Sequence, residues 1–220
     1  MSMYTHILFD LDGTLIESWP KLLRTINLFC QVEGQPVTAD YMQEQYQLGK
    51  SLRIFLQEHN TSFRDMSRNE ISNLFWNRYM EDSSSPELMP GVKTFLDQLQ
   101  KNNMIAGVVT NKRQDVAKTE IENTPAFSKM SYVIGSGTGL KSKPNPDMIL
   151  KAIEVLGASP EKTLFIGDSS QDFFAAKAAG IQVKLISCGN VKKHVNLVNI
   201  AGEAFVVNSY SEIFPRIIER

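Results

Sequence analysis

Two hydrophobic rhythms divide the chain. Ile7, Leu8 and Phe9 form a short unbroken apolar run, the pattern of a strand buried on both faces. From Ser18 the pattern turns helical. Leu22, Leu23, Ile26 and Phe29 recur at helical spacing after Pro20, and Gly34 ends that run. Thr38 is placed to cap a second helix, and a third, with Leu52, Phe55 and Leu56, follows Gly49. Ser67-Arg-Asn-Glu70 is a capping box that opens a fourth helix, with Ile71, Leu74, Phe75 and Tyr79 along one stripe. Ser83 to Pro86 reads as a linker.

From Met89 the rhythm alternates. A helix follows Pro90-Gly91, carrying Val92, Phe95, Leu96 and Leu99. Met104 to Val109 is an apolar strand ending at Thr110-Asn111-Lys112, and Tyr132 to Ile134 is another, running into a glycine-rich turn. Pro146 to Leu156 is a helix stopped by Gly157, and Thr163 to Ile166 a strand ending in Gly167-Asp168. A helix over Phe173 to Ala179, strands over Val183 to Ile186 and Phe205 to Val207, and a last helix over Tyr210 to Ile218, with Pro215 as a point of interruption, complete the pattern.

Alternating strands and helices predict an α/β fold, a parallel sheet covered by helices on both faces. The expected domains are an α/β core of residues 1–16 and 89–220 and an inserted all-α domain of residues 17–88, with hinges at 16–18 and 83–89. In such sheets ligands sit beyond the carboxyl ends of the strands. Asp10, Thr110 and Asp168 each fall at that end of an expected strand.

Composition narrows the function. Lys and Arg total 23 against 24 Asp and Glu, a formal charge of −1, which gives no electrostatic case for nucleic acid or an anionic membrane. No stretch approaches the length of a membrane span, and the N-terminal apolar run is too short and too broken by Asp10 and Asp12 for a secretory signal. Cys30 and Cys188 form no Cys-x-x-Cys pair, so two free thiols in a reducing, cytoplasmic setting are expected.

The chemistry starts at Asp10 and Asp12. Residues two apart on a strand point the same way, so both carboxylates can converge where the strand ends, and Gly13 lets the chain turn away. A divalent cation would offset their repulsion. A calcium loop needs glycine at its sixth position, and Gly13 is the fourth residue from Asp10. Asp168 and Asp172 add two carboxylates near a helix start, where Asp172 is equally suited to capping. Thr110 and Asn111 offer hydrogen-bond donors for a phosphoryl oxygen, or are simple turn formers. Lys143, stiffened by Pro144 and Pro146, suits a fixed charge facing a phosphoryl group, or is a solvated surface lysine.

Taken together, Asp10-x-Asp12-Gly-Thr, Thr110 after an apolar strand, Lys143-Pro-x-Pro and Gly167-Asp168-x-x-x-Asp172 resemble, in order, the four motifs of the haloacid dehalogenase (HAD) superfamily of phosphohydrolases. The branch resembled is phosphoglycolate phosphatase-like and β-phosphoglucomutase-like, and the helical insert lies where that superfamily's C1 cap lies. The resemblance implies a three-layer Rossmann-like core with a helical-bundle cap. It implies Asp10 as nucleophile, Asp12 as acid and base, and Thr110 and Lys143 holding the phosphoryl group. It also implies Mg²⁺ held by Asp10, the Asp12 carbonyl and Asp168, with Asp172 supporting. Gly49 matches a cap turn that faces substrate in relatives, which makes Lys50 and Arg53 specificity candidates, the alternative being a solvated helix start. Glu17 stands where many relatives have Asp.

Two look-alikes fail. Gly49-Lys50-Ser51 mimics the end of a P-loop, but Glu44 stands where that loop needs glycine. Gly135-Ser-Gly137-Thr-Gly139 lacks the glycine spacing of a dinucleotide fingerprint. The expectation is therefore a cytoplasmic Mg²⁺-dependent phosphatase, monomer or homodimer. It would act on a small phosphorylated metabolite, phosphoglycolate-like or sugar-phosphate-like, through an aspartyl phosphate on Asp10. A phosphosugar mutase with the same motifs and a non-catalytic phospho-ligand binder are the alternatives. A dehalogenase is disfavoured, because those relatives lack the aspartate seen here as Asp12.

Overall fold

A computed structural model describes residues 3–47 and 51–218. In chain order the elements are β1 (His6–Phe9), β2 (Ile16–Glu17), α1 (Trp19–Phe29), α2 (Ala39–Gln47), α3 (Leu52–His59) and α4 (Arg68–Glu81). Next come β3 (Glu87–Leu88), α5 (Val92–Lys101), β4 (Ile105–Arg113), α6 (Gln114–Glu122), β5 (Met130–Ser136), α7 (Asp147–Leu156) and β6 (Thr163–Gly167). The chain ends with α8 (Ser170–Ala178), β7 (Gln182–Ile186), α9 (Val191–Ala201), β8 (Val206–Val207) and α10 (Tyr210–Ile218).

The chain forms two compact units, residues 1–17 with 87–220, and residues 18–86. The division is fixed by a small antiparallel ribbon, Ile16 opposite Leu88 and Glu17 opposite Glu87. That pairing keeps Glu17, Glu87 and Leu88 with the larger unit, whereas the sequence boundaries put all three in the helical one. Two-residue strands whose partners lie seventy residues apart leave no periodic trace.

In the larger unit six parallel strands run in the order β5-β4-β1-β6-β7-β8. Alternation explains the unbroken apolar run of β1. Ile7 and Phe9 pack on one face against α5, α6 and α10 through Phe95, Ala117, Ile121 and Ile213. Leu8 packs on the other against α7 and α8 through Met148, Ile149, Ala152 and Ala175. Each face thus has its own apolar layer, and the core is three layers thick.

Two helices, α6 and α9, escape the apolar periodicity. Each exposes polar residues along much of its length, and α9 leaves Val191, Val195 and Ile200 exposed, so the stripe is blurred. Pro215 does not interrupt α10, which runs through it, with Tyr210, Ile213 and Ile217 buried along one side.

In the smaller unit α1, α3 and α4 bury Ile26, Phe55, Leu56, Ile71, Phe75 and Tyr79. Phe29 meets Phe63 edge-on at 5.5 Å between ring centroids. The capping box of α4 is formed, with Ser67 and Glu70 exchanging backbone hydrogen bonds. Among the described residues no helix is long and apolar enough to cross a membrane.

Candidate active site

β1 lies between β4 and β6, and strand order runs outward from it in both directions, which makes its carboxyl end a topological switch point. Phe9 pairs with Val108 on one side and Ile166 on the other. Asp10 therefore emerges between the ends of β4 and β6, its amide donating to the Ile166 carbonyl at 2.9 Å. The β4 strand is longer than the apolar run suggests. It continues through Thr110, Asn111 and Lys112 to Arg113, with a register irregularity after Val109.

Lys143 reaches into this crevice from the segment before α7. Its ammonium donates to Asp10 Oδ1 at 2.6 Å, Asp172 Oδ1 at 2.6 Å and the Val109 carbonyl at 2.9 Å. The side chain is buried, so it is no solvated surface lysine. Asn111 holds it there. The Asn111 amide donates to the Lys143 carbonyl at 2.9 Å and accepts from the Lys143 N–H at 2.9 Å, the two-point clasp a strand partner would make. Asn111 also donates to Gln171 Oε1 at 2.8 Å. Its amide thus serves the Lys143 segment, where sequence reading assigned it to the phosphoryl group. Thr110 is buried, and its hydroxyl accepts from the Lys112 N–H at 3.2 Å, which leaves its own proton to donate.

Asp172 is wholly enclosed. Its Oδ2 accepts from the amides of Asp168 and Ser169 and from the Ser169 hydroxyl at 3.1, 3.0 and 2.6 Å, while Oδ1 takes Lys143. Capping α8 and fixing Lys143 are therefore one job. Gly167 makes room for it, since a Cβ there would lie 2.5 Å from the Asp172 side chain. Asp168 accepts from Lys193 Nζ at 2.6 Å and from the Thr14 hydroxyl at 3.4 Å. Gly13 sits against it at φ +75°, where a Cβ would lie 2.3 Å from Asp168 Oδ2.

Oxygen atoms of Asp10, Asp168 and Asp172 lie within 4.8 Å of one another. The Asp10 carboxyl is pushed up to about 8, chiefly by burial and also by Asp172 and Asp168, against the pull of Lys143. Burial sets the upward direction, and the single ammonium shared by Asp10 and Asp172 is too little to reverse it. Asp168 is raised by burial too, against the pull of Lys193. Burial also works against the Lys143 ammonium, but Asp10 and Asp172 outweigh it and hold it charged. Crowded carboxylate oxygens with surplus negative charge are the donor set of a hard divalent cation, so these residues fit Mg²⁺.

Asp12 stands apart from the three-carboxylate group. Its Oδ1 accepts from Lys112 Nζ at 2.8 Å, and Lys112 also contacts Glu120 Oε2 at 2.6 Å. Lys112 and Lys193 are the site residues that sequence reading missed. Lys112 directly follows Thr110-Asn111 and was legible as a strand-end residue. Lys193 had no local signal, since α9 brings it back from a distance of 25 residues. Of the specificity candidates, Gly49 and Lys50 lie outside the described residues. Arg53 lies on α3, where its guanidinium donates to Gln57 Oε1 at 2.8 Å.

Comparison with known proteins gives the family and the fold. A family model described as haloacid dehalogenase-like hydrolase matches residues 7–186. A phosphoglycolate phosphatase of Xylella fastidiosa is 32% identical over 182 residues, covering 80% of this chain and 76% of that protein. Phosphoglycolate phosphatase 1 of Pseudomonas aeruginosa is 26% identical over 216 residues, covering 95% and 78%. Among solved structures, a haloacid dehalogenase-like family hydrolase of Streptococcus pneumoniae superposes with a TM-score of 0.73 at 23% identity, covering 98% of this chain and 99% of that one. The CbbY protein of Rhodobacter sphaeroides, in complex with xylulose-(1,5)bisphosphate, does so with a TM-score of 0.73 at 18% identity, covering 96% of both chains.

Proposed function

Since the chain belongs to the haloacid dehalogenase-like hydrolase family as a phosphoric monoester hydrolase, we propose that it is a Mg²⁺-dependent phosphatase working through an aspartyl phosphate on Asp10. The substrate would be a small phosphorylated metabolite of the phosphoglycolate or sugar-phosphate kind. The observation that carries this reading is the meeting of Asp10, Lys143, Asp168 and Asp172 at one strand-end crevice. Relatives named phosphoglycolate phosphatase support the substrate class.

In this reading the Asp10 carboxylate attacks phosphorus and the ester P–O bond breaks. Asp12 gives its proton to the departing alkoxide. Asp12 then takes a proton from the water that attacks the aspartyl phosphate, and inorganic phosphate leaves with Asp10 restored. Lys143 and the Thr110 hydroxyl stabilise the charge on the transferring phosphoryl oxygens. Asp10, the Asp12 carbonyl and Asp168 would hold Mg²⁺, with Asp172 behind them. Once bound, the cation supplies the charge that keeps Asp10 ionised and offsets its repulsion of the phosphate. The helical unit of residues 18–86 would act as the cap, with Gly49, Lys50 and Arg53 as its specificity residues.

A panel of phosphorylated metabolites, assayed with Mg²⁺ and with EDTA, tests the reading. Release of inorganic phosphate that needs Mg²⁺ and disappears in Asp10→Asn is expected. Turnover that survives Asp10→Asn overturns the nucleophile assignment. Isomerised sugar phosphate without phosphate release makes the protein a mutase.

A further inference from the structure

Lys112 is a fully enclosed charge near the crevice, with a side chain 0% exposed. Its ammonium lies 2.8 Å from Asp12 Oδ1 and 2.6 Å from Glu120 Oε2. Asp12 is 28% exposed and Glu120 only 6%. Enclosing an ammonium and a carboxylate together is unfavourable compared with an apolar pair of the same volume. Packing alone therefore gives no reason for Lys112 and Glu120 to be there.

The backbone around Lys112 is also tightly defined. Its N–H donates to the Thr110 hydroxyl. Gly135 of β5 comes so near that a Cβ would lie 2.6 Å from the Lys112 carbonyl. Gln114, two residues on, accepts from the Gly135 amide and donates to the Val133 carbonyl at 3.1 Å. α6 begins at Gln114 and brings Glu120 back over the Lys112 side chain. Both ends of the charge relay are thus set by regular structure, while Asp12 sits in the turn after β1.

We propose that the buried Lys112–Glu120 pair is a positioning device for Asp12, holding Oδ1 so that Oδ2 faces the leaving oxygen of the ester. This rests on the reading of Asp12 as acid and base. A carboxylate in a turn samples several rotamers, and proton transfer needs one of them. One fixed hydrogen bond to Oδ1 selects the orientation. Glu120 shares the ammonium, so Lys112 is not given over wholly to Asp12. Lys112 and Glu120 are positioning residues, since neither is placed on the phosphoryl group.

The test compares two esters with the Mg²⁺-loaded enzyme. p-Nitrophenolate leaves without a proton, whereas the alkoxide of glycerol phosphate needs one. The readout is kcat/KM, which reports the half-reaction that expels the leaving group. Lys112→Met leaves Glu120 buried without its partner, so Lys112→Met/Glu120→Gln is made beside it and folding is followed by circular dichroism. The expected result for the folded variant is a loss of roughly 10²-fold on glycerol phosphate but only about threefold on p-nitrophenyl phosphate, the bias of a mispositioned general acid. Asp12→Asn should carry the same bias in stronger form. If Asp12→Asn shows the bias and the folded double variant loses equally on both esters, or on neither, the positioning role is overturned and the role of Asp12 stands. If Asp12→Asn shows no bias, the acid role of Asp12 fails and the positioning role fails with it.

Discussion

Asp10→Asn should stabilise the metal-free protein at high pH, although it destroys the proposed nucleophile. The carboxyl of Asp10 is held up to about 8 by burial and by its acidic neighbours, against an ordinary value of 3.8. A raised carboxyl favours the folded state fully below the ordinary value, and that advantage is lost as pH rises towards the folded value. Over this window the unfolded chain gives up the proton and the folded chain keeps it. At about 1.4 kcal/mol per tenfold change in proton affinity, raising the pH from 5 to 8 costs the wild type up to about 4 kcal/mol through this group alone. Asparagine has the shape of the protonated acid and presents an oxygen to Lys143, but it does not titrate. For a chain of 220 residues, 4 kcal/mol is a shift in melting temperature of roughly 8–16 °C.

The assay is urea and thermal unfolding of both proteins in EDTA and in Mg²⁺, at pH 5 and pH 8. In EDTA the variant should already lead by about 2 kcal/mol at pH 5, which lies above the ordinary value of 3.8, and its lead should widen as pH rises to 8. In Mg²⁺ the gap at pH 8 should close, because the cation pairs with the ionised wild-type site. Equal unfolding of the two proteins at pH 8 in EDTA would refute the argument, as would a gap that Mg²⁺ leaves unchanged.

Lys143→Met removes the ammonium shared by two enclosed carboxylates, and the metal-free protein should lose about 3 kcal/mol by urea unfolding, the lower end for a broken buried pair, since Asp172 keeps three other donors. Its kcat/KM on p-nitrophenyl phosphate should fall by roughly 10²–10³; a loss in stability alone would leave Lys143 purely structural. Gly13→Ala forces a Cβ into the space of Asp168 Oδ2 at a left-handed backbone position. It should lose about 1–2 kcal/mol of stability. The Mg²⁺ concentration for half-activation should rise roughly 10-fold or more, as for a displaced ligand, and an unchanged Mg²⁺ requirement would separate Asp168 from the metal.

Much of the molecule was legible in the sequence because its signals are local. The apolar triplet of β1, the strand over 163–166 and the helix stop at Gly157 depend on near neighbours, and both strands run out at an aspartate. Direction along a parallel sheet then carries Asp10, Thr110 and Asp168 to the same edge without further information. The helical stretch between them was equally plain, since its apolar stripes and capping box repeat at helical spacing.

What the tertiary structure alone decided concerns partners. Asn111 and Lys143 look like two independent phosphate contacts in the sequence; folded, one clasps the backbone of the other. Asp172 could cap or bind, and it caps α8 while fixing Lys143, because its two oxygens face different donors. Lys112 and Lys193 took on meaning only when α6 and α9 closed over the strand ends. Pairings of this kind depend on rotamers and on helices crossing at long range, to which hydrophobic period is blind. The sequence by itself determined which groups stand at the sheet's edge. The fold determined which of them face each other, because a charge in low dielectric is governed by what lies within a few ångströms and not by its place along the chain.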